Sequence, residues 1–172
     1  MLHLQNTKSS ALFVYILDSL EKEATGEAGK WWLHNSLLKL QDSLKNEFNI
    51  NLIVVVGEAG SVIKGLIKKY KINEVIWNRL YSQKSINRDS IIKKSLQKNN
   101  IDVQTFNGHL LNEPWEVQNN SGQYFKVFTP YWRRAYEVYK SKKYQVKDIS
   151  VIKSLKHQEK SQWNFLPKKI GI

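Results

Sequence analysis

The sequence predicts an α/β fold, a mainly parallel sheet flanked by helices, on three observations. Short apolar runs rich in β-branched residues alternate strictly with longer segments whose leucines and isoleucines recur at helical spacing. The connections between them are a few residues long, as in βαβ units. The alternation fills residues 11–107 without a break, in a chain of 172 residues whose 41% apolar and 12% aromatic content suits one domain with a buried core.

Taken in order, "ALFVYILD" (11–18) is a nearly unbroken apolar run ending at an aspartate, which predicts a strand buried on both faces. An acidic, glycine-containing link, "SLEKEATGEAG", follows. Leu33, Leu37, Leu40, Leu44 and Phe48 then predict an amphipathic helix over 30–47, with "HNS" and "KLQDS" turned outward. "NLIVVVGE" (51–58) is a second buried strand. In "SVIKGLIKKY" (61–70) Val62, Ile63, Leu66, Ile67 and Tyr70 share a helical face, and Ser61 can cap the N-terminus. "NEVIWN" (73–78) is a third strand, residues 85–99 a helix through Ile86, Ile92 and Leu96, and "IDVQTFN" (101–107) a fourth strand. Beyond it, turn formers and aromatics with Pro114 and Pro130 predict a strap without continuous helix. Residues 136–172 are Lys-rich and weakly periodic, which reads as a partly ordered linker.

The net charge of +12 is uneven. From Tyr124 onward 12 Lys/Arg face 3 Asp/Glu, whereas residues 1–123 carry 15 against 12. Such a basic tail suits a phosphate-bearing partner through counterion release; an AT-biased coding sequence would also enrich Lys, Asn and Ile. No apolar run is long enough for a membrane span, and the N-terminus has no basic and apolar signal regions. With no cysteine there is no disulfide, thiolate nucleophile or Cys-based metal site, and the simplest expectation is a cytoplasmic protein.

Catalytic motifs do not appear. No Walker-type or G-x-G-x-x-G loop follows a strand; "GEAG" at 57–60 sits between a strand and a helix, where a turn needs glycine with or without a phosphate. His3, His34, His109 and His157 lack metal-ligand spacing, and there is no Ser/His/Asp elbow, so neither a catalytic residue nor a metal site is assigned. Trp31, Trp32, Trp77, Trp115 and Trp132 fall at element edges or in the strap, where rings fill gaps between layers or stack on a flat ligand; filling is the expectation.

Three segments carry a resemblance. "GEAGKWWLHNSLLKLQDSL", "WNRLYSQKSINRD" and "FNGHLLNEPWEVQNNSGQYFKVFTPYWRRA" resemble, in order and spacing, three motifs of the N-terminal α/β domain of the photolyase and cryptochrome family: Gly-x-Ala-Ser-Arg-Trp-Trp-Leu-x-x-Ser-Leu, Trp-Asn-Arg-x-Tyr-Glu-Pro-x-x-x-x-Arg-Asp, and Phe-x-x-x-Leu-Leu-x-Glu-Pro followed by Gly-x-x-Phe-x-Val-Phe-Thr-Pro-Phe-Trp. The resemblance spans about residues 11–135. It implies a Rossmann-like antenna domain over 1–135 and, over 136–172, a basic linker toward a helical FAD-binding domain. It also implies light-dependent repair of cyclobutane pyrimidine dimers (a deoxyribodipyrimidine photolyase), with DNA met through the complete enzyme.

The family's opening Trp-Phe-Arg strand and its helical FAD domain are not found in these 172 residues, so the resemblance implies a fragment lacking the first, central strand. That strand would lie between those at 11–17 and 73–78, so poor solubility and no independent repair are expected. A separate helical FAD-binding chain is then a candidate partner, alongside DNA. For an antenna (folate, deazaflavin or flavin) the positions implied are Asn78, Arg79, Tyr81, Arg88 and Asp89. Arg88 would pair with an anionic group and Asp89 accept hydrogen bonds. Where the motif has Glu-Pro this chain has Ser82-Gln83, and Lys84 and Ser85 supply no carboxylate. Arg88 and Asp89 also admit a plain helix-surface pairing. The alternatives are a stand-alone α/β nucleotide- or DNA-binding module and a cryptochrome-like photoreceptor fragment.

Overall fold

The computed structural model describes residues 3–4, 10–18, 26–142 and 152–155. They fall into two compact units, one within 1–71 and 147–172 and one within 72–146. The elements in chain order are β1 (Ser10–Ala11), β2 (Phe13–Leu17), α1 (Glu27–Phe48), β3 (Leu52–Val56), α2 (Ala59–Tyr70), β4 (Glu74–Asn78), α3 (Gln83–Lys98), β5 (Asp102–Phe106), a 3-10 turn (Pro114–Glu116), α4 (Phe128–Ser141) and β6 (Lys153–Ser154). Among the described residues the strands form three parallel pairs, β1 with β6, β2 with β3, and β4 with β5. The sixth tryptophan, His157, and the linker expected over 143–151 and 156–172 lie outside the described residues, as does most of the acidic link.

In the first unit, β2 and β3 pair in register from Phe13 with Leu52 to Leu17 with Val56. Leu17, Leu37 and Val54 form the core, with Tyr15, Leu33, Leu52 and Val56 packed against them, so α1 covers one face of the pair. Ile53 and Val54 are both buried, and because successive side chains of a strand point to opposite faces, β3 is enclosed on both. The same expectation fails for β2, where Phe13 to Ile16 are only half-buried and Leu17 alone is enclosed. The described partner of β2 is β3 only, so burial is complete just at the end that meets the α1 core. On α1, Leu37 is buried but Leu40 is exposed, and "HNS" is half-buried rather than outward. The helix runs one turn earlier than its leucines suggest, starting at Glu27.

The N-terminus of α2 corrects another expectation. The cap is Glu58, not Ser61: its carboxylate accepts from the Gly60 N–H at 2.8 Å and the Ser61 N–H at 2.6 Å, while Asp18 Oδ2 accepts from the Ala59 N–H at 3.4 Å. Two carboxylates therefore occupy the helix end that a phosphate would need, and "GEAG" is a capped turn rather than an anion cradle. Hydrogen bonding from Ser61, then from the Gly60 and Ser61 amides, holds the Glu58 carboxyl below its ordinary value. That contribution is present above the ordinary value of 4.5 and fades as pH falls through the lowered one. Glu58→Ala is expected to speed hydrogen exchange at the Gly60 and Ser61 amides at neutral pH; unchanged exchange would show that the cap carries no weight.

In the second unit β4 and β5 pair from Glu74 with Asp102 to Asn78 with Phe106. The Ser82 hydroxyl caps α3 by accepting from the Ser85 N–H at 3.2 Å, and Ile92 and Leu96 are its buried residues, whereas Ile86 is exposed. The strap holds more helix than Pro130 suggests. Pro130 sits third in α4, in the first turn, where an N–H has no intrahelical acceptor to lose. α4 therefore runs on past residue 135 to Ser141.

Candidate functional site

The end of β4 and the segment after β5 meet in one polar cluster centred on Glu113. Its side chain is almost fully enclosed, 7% exposed, and it lies 34 residues from its main partner. Arg79 Nε donates to Glu113 Oε1 at 3.0 Å and Nη2 donates to the same oxygen, while Tyr81 Oη donates to Oε2 at 2.7 Å. Arg79 Nη1 reaches the other way, to the Thr105 carbonyl at 2.6 Å and Thr105 Oγ1 at 3.1 Å. One guanidinium thus ties the strand end at residue 79 to β5 and to the 3-10 turn, which a planar five-donor fork can do and an ammonium cannot. The Trp115 ring lies 5.5 Å from the guanidinium carbon, adding a cation–π contact, and Tyr81 meets the His109 ring edge-on at 5.3 Å.

A second layer fixes the turn itself. Glu113 and Glu116 form a reciprocal capping box, with the Glu113 N–H donating to Glu116 Oε2 at 2.6 Å. Lys142, just past α4, donates from Nζ to Glu116 Oε2 at 2.6 Å, Asn112 Oδ1 at 3.0 Å and the Leu111 carbonyl at 3.2 Å. The hydrogen bond from Lys142 holds the Glu116 carboxyl below its ordinary value even though burial works the other way. Burial, reinforced by the bond to Glu113 and opposed by Arg79, pushes the Tyr81 phenol up. Burial works to lower the Arg79 guanidinium, but the hydrogen bonds to Glu113 and Tyr81 and their charges together outweigh it and raise it.

The signs give a pH window. The Glu116 contribution is present above 4.5 and lost as pH falls through its lowered value; the Tyr81 contribution is present below 10.0 and lost as pH rises through its raised one. Lys142→Met is expected to remove part of the acid-side dependence, measured as the urea midpoint against pH. An acid limb identical to the parent would sink this assignment.

The five positions singled out in the sequence separate into two groups. Arg79 and Tyr81 face Glu113 and act as pins of the fold. Asn78 is exposed at the end of β4, with Gly108 pressed so close that a Cβ there would stand 2.7 Å from the Asn78 Cβ, which is why the loop after β5 needs a glycine at that point. Arg88 and Asp89 lie half-buried on α3 as neighbours, with Nε donating to Oδ1 at 2.9 Å. Periodicity and spacing do not single out Glu113, Glu116 and Lys142, although Glu113 stands inside the Leu-Leu-x-Glu-Pro motif. The tryptophans expected to fill gaps are mostly exposed: Trp31, Trp32, Trp115 and Trp132 are in solvent and Trp77 is half-buried. Among the described residues no cluster of His, Asp and Glu could hold a metal, and no helix is long and apolar enough to cross a membrane.

The DNA photolyase family profile matches residues 1–149. The chain belongs to the DNA photolyase family. Among relatives of this photolyase-family chain, the deoxyribodipyrimidine photo-lyase of Agrobacterium fabrum is 36% identical over 108 residues, covering 63% of this chain and 22% of that protein. Cryptochrome-2 of Arabidopsis thaliana is 34% identical over 113 residues, 66% of this chain and 18% of its own length. The crystal structure of a bacterial class III photolyase from Agrobacterium tumefaciens superposes with a TM-score of 0.79 at 28% identity, covering 98% of this chain and 35% of that one. The chain therefore spans about a fifth of the length of these curated relatives. The α/β architecture is that of the photolyase N-terminal domain.

Proposed function

We propose that the chain serves as the light-harvesting α/β portion of a light-dependent DNA repair protein, and that flavin photochemistry on a pyrimidine dimer is done by polypeptide outside these residues. The superposition of nearly the whole chain on a class III photolyase carries this reading. Within it, residues 1–135 supply the antenna domain and 136–172 the start of the link to an FAD-binding half, on the same or a separate chain. DNA is met by the assembled protein.

Asn78, Arg88 and Asp89 are the residues assigned to the antenna. A folate, deazaflavin or flavin chromophore carries an anionic group and a hydrogen-bonding ring, which suit the Arg88 guanidinium and the Asn78 amide; Asp89 orients Arg88 through its hydrogen bond. Arg79 and Tyr81 serve the same site at one remove, by holding the end of β4 through Glu113. The chromophore, when bound, would collect light and pass its excitation to FAD; the hard chemistry belongs to the cofactors.

Equilibrium dialysis of the chain against a folate, a deazaflavin and a flavin tests the site. One chromophore is expected to bind, about tenfold more weakly after Arg88→Ala. Binding of none, or equal binding by the variant, would overturn the antenna assignment. Dimer repair under blue light by this chain alone would overturn the division of labour. The 34% identity to a cryptochrome favours a second reading, a photoreceptor of the same family, which loss of repair in the assembled protein with light-dependent signalling retained would support.

A further inference from the structure

One exposed stripe of α4 carries a ladder of aromatic rings. Phe128, Trp132, Tyr136 and Tyr139 follow one another along the helix with centroids 6.3, 5.8 and 6.5 Å apart and planes inclined by only 12°, 20° and 23°. All four are exposed, by 71%, 50%, 46% and 40%, on a helix whose one buried residue is Ala135, at the edge of the same stripe. Spacings of four, four and three residues put them in one stripe, and four residues of helix rise about 6 Å. Around the helix from that stripe, Arg133 and Lys140, seven residues apart, form a parallel basic row. The Lys140 ammonium stands 5.0 Å from the Tyr136 ring centroid, which places a cation at the margin of the ladder. Residues 124–142 hold five Lys/Arg and one acidic residue.

We propose that this face of α4 binds single-stranded nucleic acid, the rings stacking on bases and the Arg133 and Lys140 row neutralising the phosphates. Parallel aromatic faces beside a cationic track are what such binding needs, because every base has a π-face and every step of the backbone a negative charge. A duplex keeps its base faces inside and offers the ladder nothing to stack on. A second copy of the chain would bring two positively charged helices together, and charge complementarity selects an anionic partner instead. The surface is independent of the antenna reading, since it needs neither chromophore nor light.

The test is fluorescence anisotropy of a labelled oligothymidylate of about twelve nucleotides, titrated in the dark with the full 172-residue chain. Tight binding of the single strand, with tryptophan quenching and weaker binding of the matching duplex, is expected. Trp132→Ala and Tyr136→Ala should each weaken it about tenfold, and Trp132→Phe should restore it. The pair Arg133→Gln and Lys140→Gln should make the slope of log K against log salt shallower by about one unit. Circular dichroism of each variant reports whether α4 is intact; if the alanine variants lose helix, Trp132→Leu, which keeps bulk without an aromatic face and should weaken binding to the same extent, and the charge pair carry the test. Equal binding by the alanine variants, equal affinity for duplex, ladder-dependent self-association in sedimentation, or binding to anionic lipid vesicles with none to the oligonucleotide would each overturn the proposal.

Discussion

Arg79→Ala is expected to lower the stability of the chain by about 3 kcal/mol, roughly twice the loss from Glu113→Gln. The asymmetry comes from burial. The Arg79 side chain is 30% exposed, so once Glu113 is made neutral the guanidinium still reaches water and keeps its bonds to Thr105. Glu113 is 7% exposed, so removal of Arg79 strands a carboxylate with only the Tyr81 hydroxyl and the capping N–H of residue 116. An uncompensated buried charge costs more than a lost pair. Arg79→Lys should fall between the two, because one ammonium cannot hold Glu113 and the Thr105 carbonyl together. Urea midpoints at constant m read the three values. A larger loss from Glu113→Gln than from Arg79→Ala would mean that the carboxylate is not the dependent partner.

The ion pair also marks where sequence reading stops. Local rules reach three or four residues along a helix or across one strand register, whereas Arg79 and Glu113 are 34 apart, on a strand end and a turn. Both stood inside recognised motifs, so their importance was visible and their partnership was not. The consequence for the antenna site is direct: the family resemblance puts Arg79 and Tyr81 among the antenna positions, and in the fold their polar atoms are engaged by Glu113. Strands and helices were more legible, since periodicity is a local property. β3, α2, β4, α3 and β5 fall within two residues of their expected limits, and the miss at Glu58 arose because a glutamate between two glycines reads as turn until its carboxylate is seen to cap.

The aromatics show the opposite failure. A dense aromatic segment was expected to pack, and composition supports that, because large rings are buried more often than not. What decides is the phase of the helix they ride on. The strap reads as proline-broken coil and residues 136–172 as linker, so neither gives Phe128, Trp132, Tyr136 and Tyr139 a phase; once Pro130 is placed in the first turn, one helix carries all four in one exposed stripe. An exposed aromatic patch of this extent on a single helix is unusual for a surface without a partner.

Ile53→Ala is expected to cost between about 2 and 5 kcal/mol, and Ile53→Val about 1. Ile53 is 1% exposed, as is Val54 beside it on β3, so the two point to opposite faces and both faces are closed. On the Val54 side the cover is Leu37 of α1 and Leu17 of β2. β3 therefore behaves as an interior strand even though one hydrogen-bonded neighbour, β2, is described, and its stability rests on face packing more than on pairing. Ile53 is so fully enclosed that water does not reach the space its truncation would leave, which places the loss toward the upper part of that range. The urea midpoint should fall with m unchanged. A loss below about 1 kcal/mol would mean that the face bearing Ile53 opens to water, and the enclosure of β3 on both sides would have to be abandoned.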